Sequence, residues 1–407
     1  MQQLRTWARS RFFNSSSALA LAALLGAAAC SASGTNGTGP GGDGGAGDGP
    51  GGNPGGASSC AAGNSQALQV TGSDAPDGTG TPESVITINN LGTSGTYPRV
   101  TSMNPGTFGQ TCPADACVKQ NTNISGPLTP FNEEMTLNLR GPLELYDLAV
   151  YQPTQAGGTG ASWSRVSMWN RCTSDNVVFM NNEGGNGSGI WTPCGGNSQS
   201  YASADGATAA KAPTTFSGSL ANGVEVNVLS ASACSGQGDS SECGFYRGVA
   251  LHGWSGVNGA KIFVMRTRMP RYTGAPGKNY TDEPAIWMLN ARIVRTAQYG
   301  CNCRGVGSPG GCGELDVAEV VKQAHPMHAT STIYSYQGAV GADGITGAGH
   351  YFLRPVNQSA ILVVIYDAAG KIQMLRLAPD AFDFGAALDA ATVADWSARS
   401  GFSMSPK

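Results

Sequence analysis

Charge is scarce in this sequence. Its 407 residues carry 24 Lys and Arg against 27 Asp and Glu, a net charge of −3, and charged residues make up only 13% of the chain. Neutralising phosphates needs a basic face, so this balance excludes nucleic acid as the partner. Long hydrophobic runs are lacking as well. The apolar run Ala18 to Ala29 ("ALALAALLGAAA") is shorter than the roughly 20 residues a membrane-spanning helix needs. After Cys60 no long amphipathic helical period occurs, and 59 Gly and 22 Pro exceed what helix-rich chains tolerate. No CxxC occurs, and "CNC" (Cys301 to Cys303) does not have zinc spacing, so the cysteines read as disulfides and no metal is expected.

What is present begins with an export signal over residues 1–30. Arg5, Arg9 and Arg11 form a positive n-region ahead of the apolar run, and "GAAAC" ends at Cys30. That arrangement resembles a bacterial lipoprotein processing site, so Cys30 is the expected lipidation residue, with an outer-membrane or cell-surface anchor; an ordinary secretory signal with an incidental Cys is the alternative. Residues 31–59 are a Gly-rich stretch that cannot bury a core and reads as a flexible tether. Ten further cysteines, an even number in an exported chain, fit disulfides. Cys112/Cys117, Cys172/Cys194 and Cys234/Cys243 are the pairs that would close short loops, although spacing alone does not determine connectivity.

From Cys60 onward the pattern is short alternating or β-branched runs: "SVITINNL", "MTLNLRG", "LELYDLAVYQ", "VEVNVLS", "KIFVMRTRM", "AILVVIYD" and "KIQMLRLAP". Gly, Asn, Asp and Pro clusters separate them, which predicts an all-β sandwich or barrel. The C-terminal "PDAFDFGAALDAATVADWSARSG" has room for one or two helical turns. The residues after the Gly-rich stretch read either as one large sandwich or as a small N-terminal β module over 60–155 followed by the main sandwich over 156–407.

Against so little charge, "GCGELDVAEVV" (Gly311 to Val321) packs three carboxylates into six residues: Glu314, Asp316 and Glu319. Side chains alternate across a strand, so Glu314 and Asp316 share a face while Glu319, at an odd offset, would point into the core. An unpaired buried carboxylate is costly. One extra residue at Val317/Ala318, a β-bulge, would return Glu319 to the face of the other two. Paired carboxylates in one groove suit glycoside hydrolysis, and a separation of about 5–5.5 Å would make it retaining. A third acid between them can separate their protonation states. An exposed acidic strand or a calcium site are the alternatives for the same spacing.

"GELDVAE" resembles the E-x-D-x-x-E signature of glycoside hydrolase family 16. That resemblance implies a concanavalin-like jelly-roll β-sandwich acting on β-glucans or galactans, with Glu314 as nucleophile, Asp316 in support and Glu319 as acid/base. "EPAIWMLNA" is similar to that family's cleft strand, which would place Trp287 against sugar. "YPRVTSMNPGTFGQTC", "ISGPLTPFNEEMTLNLRGPLELYDLAVYQP", "VVFMNNEGGNGSGIW" and "IWMLNARIVRTAQYGCNCR", followed by the acidic motif, resemble fungal cell-wall proteins of the Tos type over about Ser84 to Asp367. Those proteins are endo-β-1,3-glucanase-like relatives of family 16. One departure is that "STIYSYQG" offers Tyr334 and Tyr336 where family 16 often has a His, so these tyrosines are the expected sugar-binding partners.

The remaining candidates rank lower. His325 and His328 in "HPMH" read as loop histidines, since Pro326 disfavours a helical metal pair. Trp163, Trp169, Trp191 and Trp254 read as core, "NNEGGNGSG" (Asn181 to Gly189, including Glu183) as a turn, and Asp282 and Glu283 as solvated acids before Pro284. The sequence therefore predicts a monomeric, cofactor-free endo-β-1,3-glucan hydrolase. A transglycosylase on the same site, or a non-catalytic glycan-binding lipoprotein, is the alternative.

Overall fold

The alternating runs become strands. In "MTLNLRG", Leu137 and Leu139 point one way while Thr136, Asn138 and Arg140 point the other, and the segment forms β5 (Met135–Arg140). The computed structural model describes residues 74–406 except 105, 107–110, 156–161, 185–193, 195, 239–240, 277–279, 306–310, 322–323 and 343. The signal, Cys30, the Gly-rich stretch, Cys60 and Trp191 lie outside the described residues. Ser58–Lys407 forms one structural unit.

An eleven-stranded sheet starts at one edge with β1 (Thr81–Glu83), β19 (His350–Leu353) and β17 (His328–Ser335). It continues through β16 (Glu314–Glu319), β15 (Ala285–Asn290), β5 and β13 (Glu225–Leu229). It ends at β9 (Val178–Asn181), β10 (Ser200–Ala202) and β11 (Ala209–Ala210), with β18 (Gly338–Gly341) pairing β17. A ten-stranded sheet has the order β22 (Ala387–Leu388), β7 (Trp163–Asn170), β6 (Leu143–Pro153) and β14 (Lys261–Arg268). It then runs through β20 (Ala360–Asp367), β21 (Lys371–Leu377), β2 (Val85–Ile88) and β23 (Phe402–Met404). The short strands β12 (Ser219–Leu220) and β8 (Ser174–Asp175) add to β6 and β7. A separate ribbon pairs β3 (Ser94–Ser102) with β4 (Val118–Ser125).

The two large sheets stack as an all-β sandwich. One core cluster joins Leu137, Leu139, Ile286, Met288, Leu315 and Ile333 of the first sheet to Leu148, Val150, Phe263, Met265, Val364 and Met374 of the second. Burying each such side chain contributes about 1.5–3 kcal/mol. A short helix, α1 (Ala291–Thr296), starts directly after β15 on an Asn290 cap. The outer face of the second sheet carries Ile262, Val264, Val363 and Ile365. It is covered by Val393 and Trp396 of α2 (Ala390–Ala398), which begins on an Asp389 cap within the C-terminal segment expected to be helical. Trp163, Trp169 and Trp254 are buried as expected.

The described residues of the expected N-terminal module, from Asp74 to position 155, do not stand apart from the rest of the described chain. Strand β5 lies between β15 and β13, and β6 lies between β14 and β7, so strands from both sides of the expected boundary share both sheets. Two of the short-loop cysteine pairings also give way to longer links. Cys112 bonds Cys194, Cys117 bonds Cys301, and Cys303 bonds Cys312, while Cys234–Cys243 closes its local loop. Spacing along the chain could not reveal this, because the partners meet only after the sheet has assembled.

Candidate active site

The acidic strand carries the bulge its spacing requires. Along β15, Leu289 faces Glu314, Trp287 faces Asp316, Ile286 faces Ala318 and Ala285 faces Glu319, so Val317 is the extra residue. On the other side Glu314 faces Tyr334, Asp316 faces Thr332 and Glu319 faces Thr330, again with one residue more on β16. Leu315, Val317 and Ala318 pack into the core. The Ser331 hydroxyl donates to the Val317 carbonyl at 2.6 Å, giving the bulged backbone a partner. All three acids therefore share the face of the sheet opposite the core.

Two arginines organise them. Arg304 grips both oxygens of Glu314 through Nε and Nη2. Its position follows from local chemistry: the Cys303–Cys312 disulfide links the residue before Arg304 to the residue two before Glu314, and Asn302 accepts from the Arg304 amide at 2.8 Å. Burial opposes the Arg304 charge, but Glu314 and then Tyr299 more than restore it, so the guanidinium keeps its charge against the Glu314 carboxyl. Arg140, on β5, donates to Glu319 at 2.7 Å and to Glu225 at 3.4 Å, and lies 3.9 Å over the Tyr280 ring. Its Nε also donates to the Glu283 carbonyl at 2.7 Å.

Asp316 has no such cation of its own. It is 4% exposed, and burial, reinforced by Glu319 and Glu314, holds its carboxyl well above the ordinary 3.8. Its carboxyl thus holds a proton more tightly than an ordinary aspartate does, and in the protonated form it is a hydrogen-bond donor beside the two glutamates. Tyr334 completes the group: burial raises its hydroxyl, and Asp316, Glu314 and Glu319 raise it further. The Asn138 amide sits two strands from Asp316, donates to the Trp287 carbonyl at 3.4 Å, and has a buried Oδ1 without a hydrogen-bond partner.

The other predicted residues divide. Trp287 lies on the acid face, but it is only 4% exposed and packs with Tyr97, Leu289 and Ile293, so it offers a sugar little surface. Tyr336 donates to the Leu91 carbonyl at 3.2 Å, and its ring fills the space a Cβ on Gly95 would need, so it pins the entry to β3. Asp282 is a buried structural acid held by Arg271 and Arg354, both at 2.6 Å. Sequence reasoning missed Arg140, Arg304 and Asn138. The alternation of Thr136, Asn138 and Arg140 with leucines was a readable sign that this face of β5 is polar. Nothing comparable marked Arg304.

Fold and site together define a β-sandwich protein with a buried carboxylate trio, braced by arginines, on one sheet face. Comparison with known proteins narrows the class. Residues 84–153 and 161–396 match the families described as cell wall protein YJL171C/Tos1, N-terminal and C-terminal. The chain belongs to the YJL171C/Tos1 cell-wall protein family. It is 31% identical over 327 residues to a Candida albicans protein named "Probable circularly permuted 1,3-beta-glucanase PGA52", covering 78% of this chain and 82% of that one. Saccharomyces cerevisiae YJL171C, with the same description, is 31% identical over 76% of this chain and 78% of its own. Candida albicans TOS1, described likewise, is 38% identical over 251 residues, and there the chain spans about half of its relative, 51%. No solved structure matches. These relatives are fungal, so the expected bacterial outer-membrane placement has no support and is withdrawn.

Proposed function

We propose that this chain is an exported glycoside hydrolase that cuts internal β-1,3-glucan bonds with retention. The observation that carries the reading is the bulge at Val317, which brings Glu314 and Glu319 to one sheet face on either side of Asp316. The relatives' names, 1,3-beta-glucanases, supply the substrate class, and the family 16 signature supplies the assignment of roles. In this mechanism the Glu314 carboxylate attacks the anomeric carbon as the glycosidic C–O bond breaks, and Glu319 gives its proton to the leaving oxygen. Glu319 then takes a proton from water, the resulting hydroxide equivalent attacks the same carbon, and Glu314 leaves.

The arginines suit this cycle. Arg304 releases one of its two hydrogen bonds as a Glu314 oxygen attacks. Arg140 is shared with Glu225, so its charge stays neutralised when Glu319 holds a proton. The leader over 1–30 would export the chain and residues 31–59 would hold the sandwich away from its point of attachment.

Digestion of laminarin tests the reading. Glu314→Gln and Glu319→Gln should each lower the release of reducing ends by about 10²–10⁴-fold with an unchanged circular dichroism spectrum. Full activity in either variant overturns the assignment, and glucan binding without turnover by the wild type would make the protein a binding module. Sizing the products on defined oligosaccharides separates hydrolysis from transfer to another chain.

A further inference from the structure

The two histidines of "HPMH" do not sit apart in a loop. His328 opens β17, His325 precedes it by a turn, and Asp77 reaches both from a segment about 250 residues earlier in the chain, just ahead of β1. One nitrogen of each ring and a carboxylate oxygen of Asp77 all lie within 4.8 Å of one another. His328 Nε2 is 2.9 Å from Asp77 Oδ1, and His325 Nδ1 is 4.0 Å from the same oxygen.

Hydrogen bonding alone leaves this cluster unsatisfied. The almost fully buried His328 donates from Nδ1 to the Gly344 carbonyl at 2.8 Å. A neutral ring then presents a lone pair at Nε2, which faces only oxygens: the Asp77 carbonyl at 2.5 Å and Asp77 Oδ1. A proton there serves one of these oxygens. It leaves Asp77 Oδ1 and His325 Nδ1 buried without hydrogen-bond partners, as they stand in the structure. Leaving buried polar atoms orphaned costs about 1–3 kcal/mol each. A cation accepting the lone pairs of Nε2, Oδ1 and His325 Nδ1 gives these three atoms a common partner.

The surroundings hold the three groups in place. The Met327 amide donates to Asp77 Oδ2 at 3.3 Å, which leaves Oδ1 facing the histidines. The His328 ring is stacked 3.6 Å from Tyr351 and 5.2 Å from His325. Gly347 has φ +82°, and a Cβ there would come within 2.2 Å of the His325 ring, so only glycine lets that ring pack inward. A metal-bound imidazole that donates its other N–H to a backbone carbonyl is the usual arrangement of a histidine ligand.

We infer that Asp77, His325 and His328 form a divalent transition-metal site, of zinc type by its two nitrogens and one carboxylate oxygen. Such ligands favour Zn²⁺ over Ca²⁺ or Mg²⁺, which take oxygen donors. In a tetrahedral site with bonds of about 2.0 Å the donors stand about 3.3 Å apart. The observed 2.9 and 4.0 Å bracket that value. The fourth position is left to water. The metal would clip the segment ahead of β1 to β17, the strand that pairs with the acidic strand, and takes no part in glycoside chemistry.

The test uses the full chain, purified without a histidine tag and under non-reducing conditions so that no thiol competes. After chelator treatment and dialysis, titration with ZnCl₂ followed by calorimetry should show one saturable site at micromolar affinity or tighter, and the melting temperature should rise by about 2–4 °C. His325→Ala and Asp77→Ala, at partly exposed positions that a fold can tolerate, should weaken binding at least tenfold and abolish the rise. Glu314→Gln should bind zinc as the wild type does. Unsaturable binding, equal binding by His325→Ala, loss of binding in Glu314→Gln, or an equal rise with CaCl₂ would each overturn the inference.

Discussion

Replacing Arg304 with Met removes the cation from the Glu314 carboxylate while keeping most of the side chain's volume. Glu314 is 2% exposed and Arg304 holds both of its oxygens. Asp316 and Glu319 lie on the same face, and Arg140 is already committed to Glu319 and Glu225. Among the described residues, no other guanidinium is in position to take over. Breaking one side of a buried ion pair costs about 3–5 kcal/mol, because the stranded charge must be desolvated alone or take up a proton. Either outcome also removes the nucleophile. Urea unfolding should therefore show a fall of about 3–5 kcal/mol, and laminarin turnover should drop by at least about tenfold at neutral pH.

The double variant Arg304→Met/Glu314→Gln separates the ion pair from simple packing. With no carboxylate left to strand, most of the stability returns, and the double-mutant cycle gives a coupling of at least about 2 kcal/mol. Arg304→Lys should fall between, since a point charge cannot serve both oxygens as the guanidinium fork does. A single-variant cost below about 1 kcal/mol, or costs that simply add in the double variant, would refute the buried pair.

Asp316→Asn should become more stable than the wild type as pH rises. The folded carboxyl stays protonated above 3.8, where the unfolded chain has released that proton, so the native state binds more protons and wild-type stability falls with pH at about 1.4 kcal/mol per unit. Asn has no proton to lose, and melts at pH 4 and pH 7 should show the gap widening; a constant or shrinking gap means Asp316 is ionised in the fold. Lys261→Met should cost about 3–5 kcal/mol in urea unfolding. The fully buried Lys261 Nζ donates to the carbonyls of Phe131, Glu133, Ser255 and Gly259 at 2.8–3.1 Å, and a cost near zero would show that those carbonyls have other donors.

What could be read in advance was what depends on near neighbours in the chain. Alternation in "MTLNLRG" and "KIQMLRLAP" specifies strands because each residue's face follows from its own position, and β5 and β21 form there. The bulge was legible for the same reason. Three acids at offsets of two and five cannot share a face of a regular strand, and leaving Glu319 in the apolar interior would cost more than one irregular residue. The electrostatics of the site were not legible, because each depends on a partner fixed by tertiary structure. Arg140 reaches Glu319 from β5 across the intervening β15, 179 residues away in sequence. Arg304, only ten residues from Glu314, was equally hidden, because it faces that carboxylate through a disulfide that spacing could not assign. The histidines of "HPMH" obey the same logic: a pair separated by proline is a poor metal site on a helix, and becomes a reasonable one only when the chain ahead of β1 supplies Asp77 as a third donor. Chemistry in this protein is thus built from side chains that look ordinary where they stand in the sequence. What the acidic strand contributes is the fixed point, the kinked face on which they converge.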